Sequence, residues 1–173
     1  MDAYLAIVSK REVREYDGRP LDPATERRIL EAGRIAGSSR NRQARRFVVL
    51  RDPGLREIAA SCVFAPTNVL GAALVVAVVV GAKGPTDFDA GRAAQNMMLA
   101  ASTEGVGSCP NGIADPARLA EAVGAVAGEA AERVSIVITF GYPVRPGDPS
   151  RRSAAEWLER ADRRPFDEVV AER

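Results

Sequence analysis

Hydrophobic positions along the chain concentrate in three short runs that have the composition of β-strands. Residues 46–50 (RFVVL) and 134–140 (VSIVITF) are rich in β-branched side chains, and residues 74–80 (LVVAVVV) are apolar throughout. A continuously apolar strand is typical of a sheet that is covered on both faces. The pattern therefore predicts that these three runs are the central strands of a sheet.

Aspartate followed by proline occurs at three places, and each pair precedes an amphipathic stretch. An aspartate can cap a helix N-terminus, and proline suits the first helical position because an N–H there would have no helical partner. The sequence therefore predicts a helix after each of the pairs Asp22-Pro23, Asp52-Pro53 and Asp115-Pro116.

Helical spacing of apolar residues also predicts helices over residues 2–9 and around residues 154–160. The longest predicted helix, residues 89–104, is rich in alanine and methionine, which predicts that it is nearly buried. Gly105 follows it, at the position where helices commonly end on glycine. The last segment, residues 163–170 (RRPFDEVV), is too apolar for a simply disordered tail.

The length of 173 residues and the apolar content of 46% fit one compact domain, residues 1–173. The 24 basic and 23 acidic residues are interspersed and give a net charge of +1. No broad electrostatic field would therefore attract nucleic acid or a membrane surface. The longest apolar run, residues 70–81, is shorter than the roughly 20 residues that cross a bilayer, so we expect a soluble protein.

The chain contains two cysteines, Cys62 and Cys109, and no histidine. With no signal peptide before them, the cysteines predict free thiols in a reducing cytoplasm, and a disulfide is the less favoured alternative. The absence of histidine excludes Ser-His-Asp and Cys-His nucleophile pairs and removes the commonest zinc ligand, so we expect no metal site. This favours a bound cofactor, because cofactors supply reactivity that the protein only has to bind and orient.

Three segments combine cations with small polar residues: residues 10–14 (KREVR), 37–43 (GSSRNRQ) and 163–164 (RR). The planar fork of arginine suits phosphate, and hydroxyl groups can donate to phosphate or ribityl oxygens. Taken singly, each segment is better explained as a solvated run of charges. Together, they describe an anion site assembled from remote parts of the chain.

The order and spacing of these segments resemble the nitroreductase-like flavoproteins from residue 4 to the tail. Residues 89–112 (DAGRAAQNMMLAASTEGVGSCPNG) resemble the central helix of that family and the Gly-x-Gly-Ser-Cys turn after it, which is the most specific match. Residues 36–50 (AGSSRNRQARRFVVL) resemble its serine-rich loop and the following strand. Residues 134–143 (VSIVITFGYP) resemble its late strand. The basic residues 10–16 (KREVREY) and 163–170 (RRPFDEVV) resemble the family's first basic motif and its C-terminal segment.

The resemblance implies an α+β fold in which helices flank a central, mostly antiparallel sheet. It also implies an intertwined homodimer that holds FMN between its two subunits. The C-terminal segment, about residues 150–173, would extend onto the partner subunit. NAD(P)H would be the co-substrate.

Matching positions then assign the flavin contacts that the resemblance implies. Lys10 and Arg11 would bind phosphate or ribityl oxygens, and Arg14 would stabilise the negative charge of reduced flavin near N1 and the C2 carbonyl. Flavin N5 is the reactive atom, so no side chain is assigned as catalytic. The other candidates are Ser38 and Ser39 toward the phosphate, Asn41 and Gln43 nearer the ring, Cys109, Pro110, Asn111 and Gly112 along one ring face, Asn68 at the pyrimidine edge, and Arg163 and Arg164 at the phosphate.

Local explanations stay open for several of these residues. Residues 37–43 could form an ordinary turn whose polar side chains satisfy the backbone. Cys109 is better explained as a small buried residue than as a nucleophile. Gly105 and Gly107 do not begin a dinucleotide-binding fingerprint, because Pro110 occupies the third glycine position and the order of strand and helix is reversed.

The chain departs from the family pattern at several positions. Glu12 occupies a position where serine is common, and a carboxylate facing a phosphate is repulsive unless Arg11 or Arg14 neutralises it. Gly37 replaces the proline of the loop, and Ala44-Arg45 replace its Pro-Trp. Only about two dozen residues separate the first two strands, so we expect a more open active site.

The leading hypothesis is an FMN-dependent NAD(P)H oxidoreductase that reduces electron-poor acceptors, of the nitroaromatic or quinone class, by a ping-pong mechanism. Dehalogenation, azoline oxidation and flavin fragmentation are alternatives on the same fold. An alternative of a different class is a flavin- or nucleotide-binding regulatory protein with little turnover, which Glu12 and the short pocket region motivate.

Overall fold

The computed structural model describes residues 2–81, 83–128 and 131–172. These residues form two compact units, one made of residues 11–146 and one made of residues 2–10 and 147–172. The organisation as one domain over residues 1–173 stays a prediction.

The larger unit contains a four-stranded sheet in the order β1-β2-β4-β3, and every neighbouring pair is antiparallel. This confirms the predicted antiparallel sheet. Its strands are β1 (Arg45–Val49), β2 (Leu74–Gly81), β3 (Gly107–Asn111) and β4 (Glu132–Gly141).

Two expectations about the sheet were wrong. The run at residues 46–50 was predicted to be a central strand, but β1 lies at an edge of the sheet. The stretch at residues 105–109 was expected to form a turn, yet residues 107–111 form β3 at the opposite edge. Glycine and proline give this segment little strand propensity, but an edge strand tolerates Pro110 because one side of its backbone needs no ladder partner.

Among its described residues, this unit has five α-helices and a short 3-10 turn at Ser39–Asn41. The three that follow Asp-Pro pairs are confirmed, and in each one the aspartate side chain accepts a backbone N–H of the first turn while proline occupies the first helical position. The long helix begins at Thr86, one turn earlier than predicted, and a short helix after Cys62 was not predicted. The helices are α2 (Pro23–Arg34), α3 (Pro53–Ser61), α4 (Pro66–Leu70), α5 (Thr86–Thr103) and α6 (Pro116–Ala122).

Successive residues of β2 point to opposite faces of the sheet, and both faces are covered. On one face, Val75, Ala77 and Val79 pack against buried residues of α3, α4 and α6. On the other face, Val76 and Val78 pack against buried residues of α2 and α5. The continuous apolar run of β2 is therefore explained by layers on both sides, as predicted.

The smaller unit is helical in the residues that the structure describes. Its helices are α1 (Ala3–Ser9), α7 (Ala154–Glu159) and α8 (Phe166–Val169), and a short 3-10 turn spans Pro149–Arg151. Ser153 and Glu156 form a reciprocal capping box at the start of α7. The indole N–H of Trp157 donates to the carbonyl of Pro149 at 2.9 Å. The predicted helices at residues 2–9 and 154–160 are confirmed to within one residue.

Membrane-spanning helices and clustered metal ligands are both absent from the described part of the chain. None of its helices combines the length and the apolar character needed to span a membrane. No group of three or more histidine, cysteine, aspartate or glutamate side chains in it could hold a metal ion. Both cysteines are buried, and neither forms a disulfide within the described residues.

Candidate functional site

The segment 11–16 runs beside β3 and positions two of the predicted flavin-binding arginines. The backbone N–H of Val13 donates to the carbonyl of Ser108 at 3.0 Å, and Glu12 forms a parallel bridge with Ser108. A Cβ at Gly107 would lie 2.6 Å from Cβ of Val13, so only glycine allows this approach. The contact leaves Arg11 and Arg14 exposed beside β3.

Tyr16 fixes the far end of the same segment. Its hydroxyl donates to the carbonyl of Val13 at 2.8 Å and lies 2.9 Å from Oγ1 of Thr139. A Cβ at Gly141 would lie 2.8 Å from the Tyr16 ring, so the ring packs directly on the end of β4. Burial raises the pKa of Tyr16 above its usual value, and the phenol stays neutral in ordinary buffers.

We expect Tyr16→Phe to lower the free energy of unfolding by about 1–2 kcal/mol at pH 8, because two buried partners lose the hydroxyl. The pKa of Tyr16 is higher in the folded chain than in the unfolded one, where it is about 10. Above pH 10 only the unfolded chain loses this proton, so the wild type loses up to roughly 1.4 kcal/mol of stability per pH unit. Denaturant titrations from pH 8 to pH 11 should show the difference between wild type and variant shrinking, and parallel profiles would contradict this role.

Asn68 and Asn111 form a buried amide pair behind the β3 edge. Nδ2 of Asn68 donates to Oδ1 of Asn111 at 2.8 Å, and Nδ2 of Asn111 lies 3.0 Å from the carbonyl oxygen of Cys109 and 3.2 Å from Oγ1 of Thr139. Both side chains are at most 4% exposed. These amides therefore hold residues 109 and 111 against β4, and because the Asn111 side chain is engaged there, we expect the flavin contacts predicted for that stretch to come from its backbone.

The predicted site residues near β3 form one group, which we call the β3-edge cluster. Each member lies on or directly after β3, on the segment 11–16 beside it, or on helix α4. They are Arg11, Arg14, Asn68, Cys109, Pro110, Asn111 and Gly112.

Ser38, Ser39, Asn41 and Gln43 form a second group, which we call the loop cluster. Three residues of this loop that are not glycine have left-handed backbone angles, with φ of 51° at Arg40, 53° at Asn41 and 51° at Gln43. Such angles cost of order 1 kcal/mol each outside glycine, less for asparagine, and persist only where the surroundings enforce them.

Two side chains, those of Ser38 and Asp89, accept backbone hydrogen bonds that help to hold the loop cluster in this conformation. Oγ of Ser38 accepts the N–H of Gln43 at 2.9 Å, and the N–H of Ser39 donates to the buried carboxylate of Asp89 at 3.1 Å. The loop is thus anchored to the first turns of α5.

The two clusters lie at opposite edges of the sheet. The loop cluster leads into β1 at one edge, where Arg45 pairs with Val80. The β3-edge cluster lies at the other edge, where Asn111 pairs with Val137 of β4. Arg133, opposite Val80, lies four residues before Val137 along β4, so three strand spacings and this offset separate the nearest members of the two clusters by roughly 20 Å. The two clusters are therefore not adjacent within one unit.

The remaining predicted site residues, Lys10, Arg163 and Arg164, belong to the smaller unit. Arg163 and Arg164 are exposed. Nη1 of Arg163 donates to the carbonyl of Ala161 at 2.7 Å, and Arg164 forms an ion pair of 3.2 Å with Glu168. Their role at a flavin phosphate stays a prediction.

Thr139, Ser108 and Asp89 shape the two clusters but were not among the predicted site residues. Oγ of Ser108 is buried and has no hydrogen-bond partner in the described residues. Thr139 was detectable as a hydroxyl residue inside an apolar strand, and Asp89 as an acid at the start of the long helix. The sequence pattern at Thr139 or at Asp89 does not indicate which distant residue its side chain contacts.

The donor set of the two clusters fits an anionic flavin nucleotide. Arg14 is an exposed guanidinium that forms no ion pair among the described residues. Ser38 and Ser39 add hydroxyl donors of the kind that bind phosphate and ribityl oxygens. Both thiols are buried and the chain has no histidine. Neither a cysteine nor a histidine side chain therefore offers an alternative to a cofactor as the reactive group.

The chain is similar to proteins of the Nitroreductase family in part of its sequence and to several solved structures in its fold. Residues 82–142 match the sequence model of the Nitroreductase family. A nitroreductase family protein from Clostridium difficile 630 has a TM-score of 0.79 and 21% identity, covering 99% of this chain and 98% of its own. A Desulfovibrio desulfuricans protein named as a nitroreductase, in complex with FMN, has a TM-score of 0.69 and 28% identity, covering 96% of this chain and 99% of its own.

The NADPH:FMN oxidoreductase from Vibrio harveyi, complexed with NAD+, has a TM-score of 0.78 and 22% identity, covering 96% of this chain and 75% of its own. These findings confirm the α+β nitroreductase fold and the resemblance to the nitroreductase family that the motifs predicted.

Proposed function

We propose that this chain is an FMN-dependent NAD(P)H oxidoreductase that reduces electron-poor acceptors of the nitroaromatic or quinone class and works as a homodimer. The observation that supports it most strongly is the placement of Arg14, an exposed cation without an ion pair in the described residues, on a segment fixed to β3 beside residues 109–112. A cation fixed there suits a ring system that gains negative charge on reduction.

FMN, when bound, supplies the hydride acceptor at N5 and delivers the electrons to the second substrate. Arg14 would hold the negative charge near N1 and the C2 carbonyl. Arg11, together with Ser38 and Ser39, would bind the phosphate and ribityl oxygens. None of these residues needs to transfer a proton in the hydride step, which agrees with the lack of histidine.

The opposite positions of the two clusters support the homodimer. In a symmetric dimer, the β3-edge cluster of one subunit can face the loop cluster of the other, and a two-fold axis creates two identical sites. Each site would then contain a cation-bearing edge strand and a hydroxyl-bearing loop that no single chain brings together.

A groove beside the edge strand β1 supports the proposed extension of the C-terminal segment onto the partner. The groove has a volume of about 790 Å³ and is lined by apolar side chains, among them Leu30, Phe47 and Val49, and by as many charged ones. The tail carries exposed apolar side chains at Phe166 and Val169. An edge strand with an unpaired side, beside a partly apolar groove, is a surface that proteins usually cover.

Spectroscopy of the flavin tests the function directly. The purified protein should bind FMN, and anaerobic NADH or NADPH should bleach the flavin absorbance near 450 nm, with recovery after menadione or a nitroaromatic is added. Free FMN at the same concentration is the control for reduction without protein.

The other outcomes decide between the alternatives. A yellow protein that neither nicotinamide bleaches would favour the regulatory flavin-binding hypothesis, for which exposed Glu12 beside Arg14 is the motivation. A protein that never binds FMN would contradict both functions.

A further inference from the structure

Three arginines surround the loop cluster without carboxylate partners. Arg40 and Arg42 lie within the loop and Arg92 lies on α5, and all three are exposed. No ion pair involves any of them in the described residues, whereas arginines elsewhere pair closely, as Arg46 does with Glu132 at 2.8 Å. The loop therefore carries a local excess of positive charge in a chain whose net charge is only +1.

Two of these guanidinium groups lie close to the backbone of a glycine. A Cβ at Gly37 would lie 2.7 Å from Nη2 of Arg92, and a Cβ at Gly84 would lie 2.8 Å from Nη1 of Arg42. The Arg92 guanidinium also lies 5.9 Å from the centroid of the Phe88 ring. The glycines and the Phe88 ring carry no charge, so the positive charge of both groups stays available to an anionic ligand.

The acidic residues nearby are already engaged. Asp89, one turn before Arg92, accepts the N–H of Ser39. Asp87 pairs with Arg133 at 2.5 Å, and its pKa lies below the usual value because of that bond. Arg40 itself adopts the left-handed conformation, which is unusual for a long side chain and is typical of backbone held in place for a function.

We propose that Arg40, Arg42 and Arg92 form a phosphate-binding rim that recognises the 2′-phosphate of NADPH and so selects NADPH over NADH. The inference rests on the proposed function, because it concerns the co-substrate of the same site. A phosphate monoester is close to a dianion at neutral pH, and planar guanidinium groups bind it through paired, charge-assisted hydrogen bonds. NADH lacks that group and would leave the rim without a ligand.

The test compares three variants, Arg40→Gln, Arg42→Gln and Arg92→Gln, with Arg118→Gln as a matched control. Arg118 is exposed on α6, outside both clusters. Steady-state assays with menadione give kcat/KM for NADPH and NADH. Calorimetric titration of the FMN-loaded protein with adenosine 2′,5′-bisphosphate and with 5′-AMP reports binding without turnover.

We expect the wild type to favour NADPH at least about tenfold, and each rim variant to lower kcat/KM for NADPH about tenfold while changing the NADH value less than about twofold. The dissociation constant of adenosine 2′,5′-bisphosphate should rise by a similar factor, and that of 5′-AMP should not. The Arg118 variant should match the wild type in each measurement.

Several results would overturn the rim. Equal use of NADH and NADPH by the wild type would do so, as would rim variants that keep the wild-type ratio. Variants that lose FMN affinity instead would show that the arginines serve the flavin phosphate. If the wild type oxidises neither NADH nor NADPH, the proposed function itself is contradicted. If only the rim proposal is wrong, the wild type still oxidises NAD(P)H but without the predicted preference.

Discussion

Replacing Arg14 by alanine should weaken FMN binding by about tenfold to a hundredfold, because a hydrogen bond to a charged group contributes roughly 1.5–3 kcal/mol. The same change should make the midpoint potential of the bound flavin more negative, on the order of 30–60 mV, since the lost contact favours the reduced form. Reduction by NAD(P)H should slow accordingly. FMN titration, potentiometry and stopped-flow absorbance measure the three effects.

Two controls separate charge from geometry and from general damage. Arg14→Lys keeps the charge but loses the planar fork, so it should lie between alanine and wild type. Arg118→Ala removes an exposed arginine from α6 and should change none of the three quantities. If Arg14→Ala leaves the FMN affinity and the reduction rate unchanged, Arg14 does not bind the flavin.

Elements with strong local signals were predicted well from the sequence. The aspartates at positions 22, 52 and 115 each accept a first-turn N–H, which is the physical reason that an Asp-Pro pair begins a helix. The run at residues 74–80 is buried throughout, because helices cover both faces of β2. These signals depend on a few neighbouring residues, so the sequence alone contains them.

Elements that depend on distant partners were predicted poorly. Gly107 and Pro110 disfavour a strand locally, and β3 forms only because β4 offers it a ladder that begins at Gly141. Whether β1 lies at an edge or in the centre depends on the strand order, which no local pattern encodes. The start of α5 was placed too late because Pro85 precedes it without a capping side chain.

The candidate site shows the same division. Its residue types follow from the chemistry of an anionic nucleotide, and the motifs supply their positions. The fixation of the 11–16 segment by Tyr16 and Thr139 joins residues that are 123 positions apart, so it required the folded chain. The separation of the two clusters likewise became visible only with the sheet order.

That separation makes subunit complementation the sharpest test of the dimer. We expect Arg14→Ala and Ser38→Asp homodimers each to lose most flavin binding and reductase activity. The carboxylate introduced by Ser38→Asp would keep an acceptor for the N–H of Gln43, as Oγ of Ser38 does at 2.9 Å, while placing negative charge toward the flavin phosphate. Repulsion between the two anions should lower FMN affinity at least about tenfold.

Co-expression of the two variants with different affinity tags, followed by purification on both tags, isolates the mixed dimer. In that dimer, one site combines both altered residues, and the other combines the unaltered Arg14 of one subunit with the unaltered loop of its partner. About half of the wild-type flavin content and activity should therefore return, because one of two symmetric sites is intact. If each site were built within one chain, both sites would stay damaged and mixing would restore nothing.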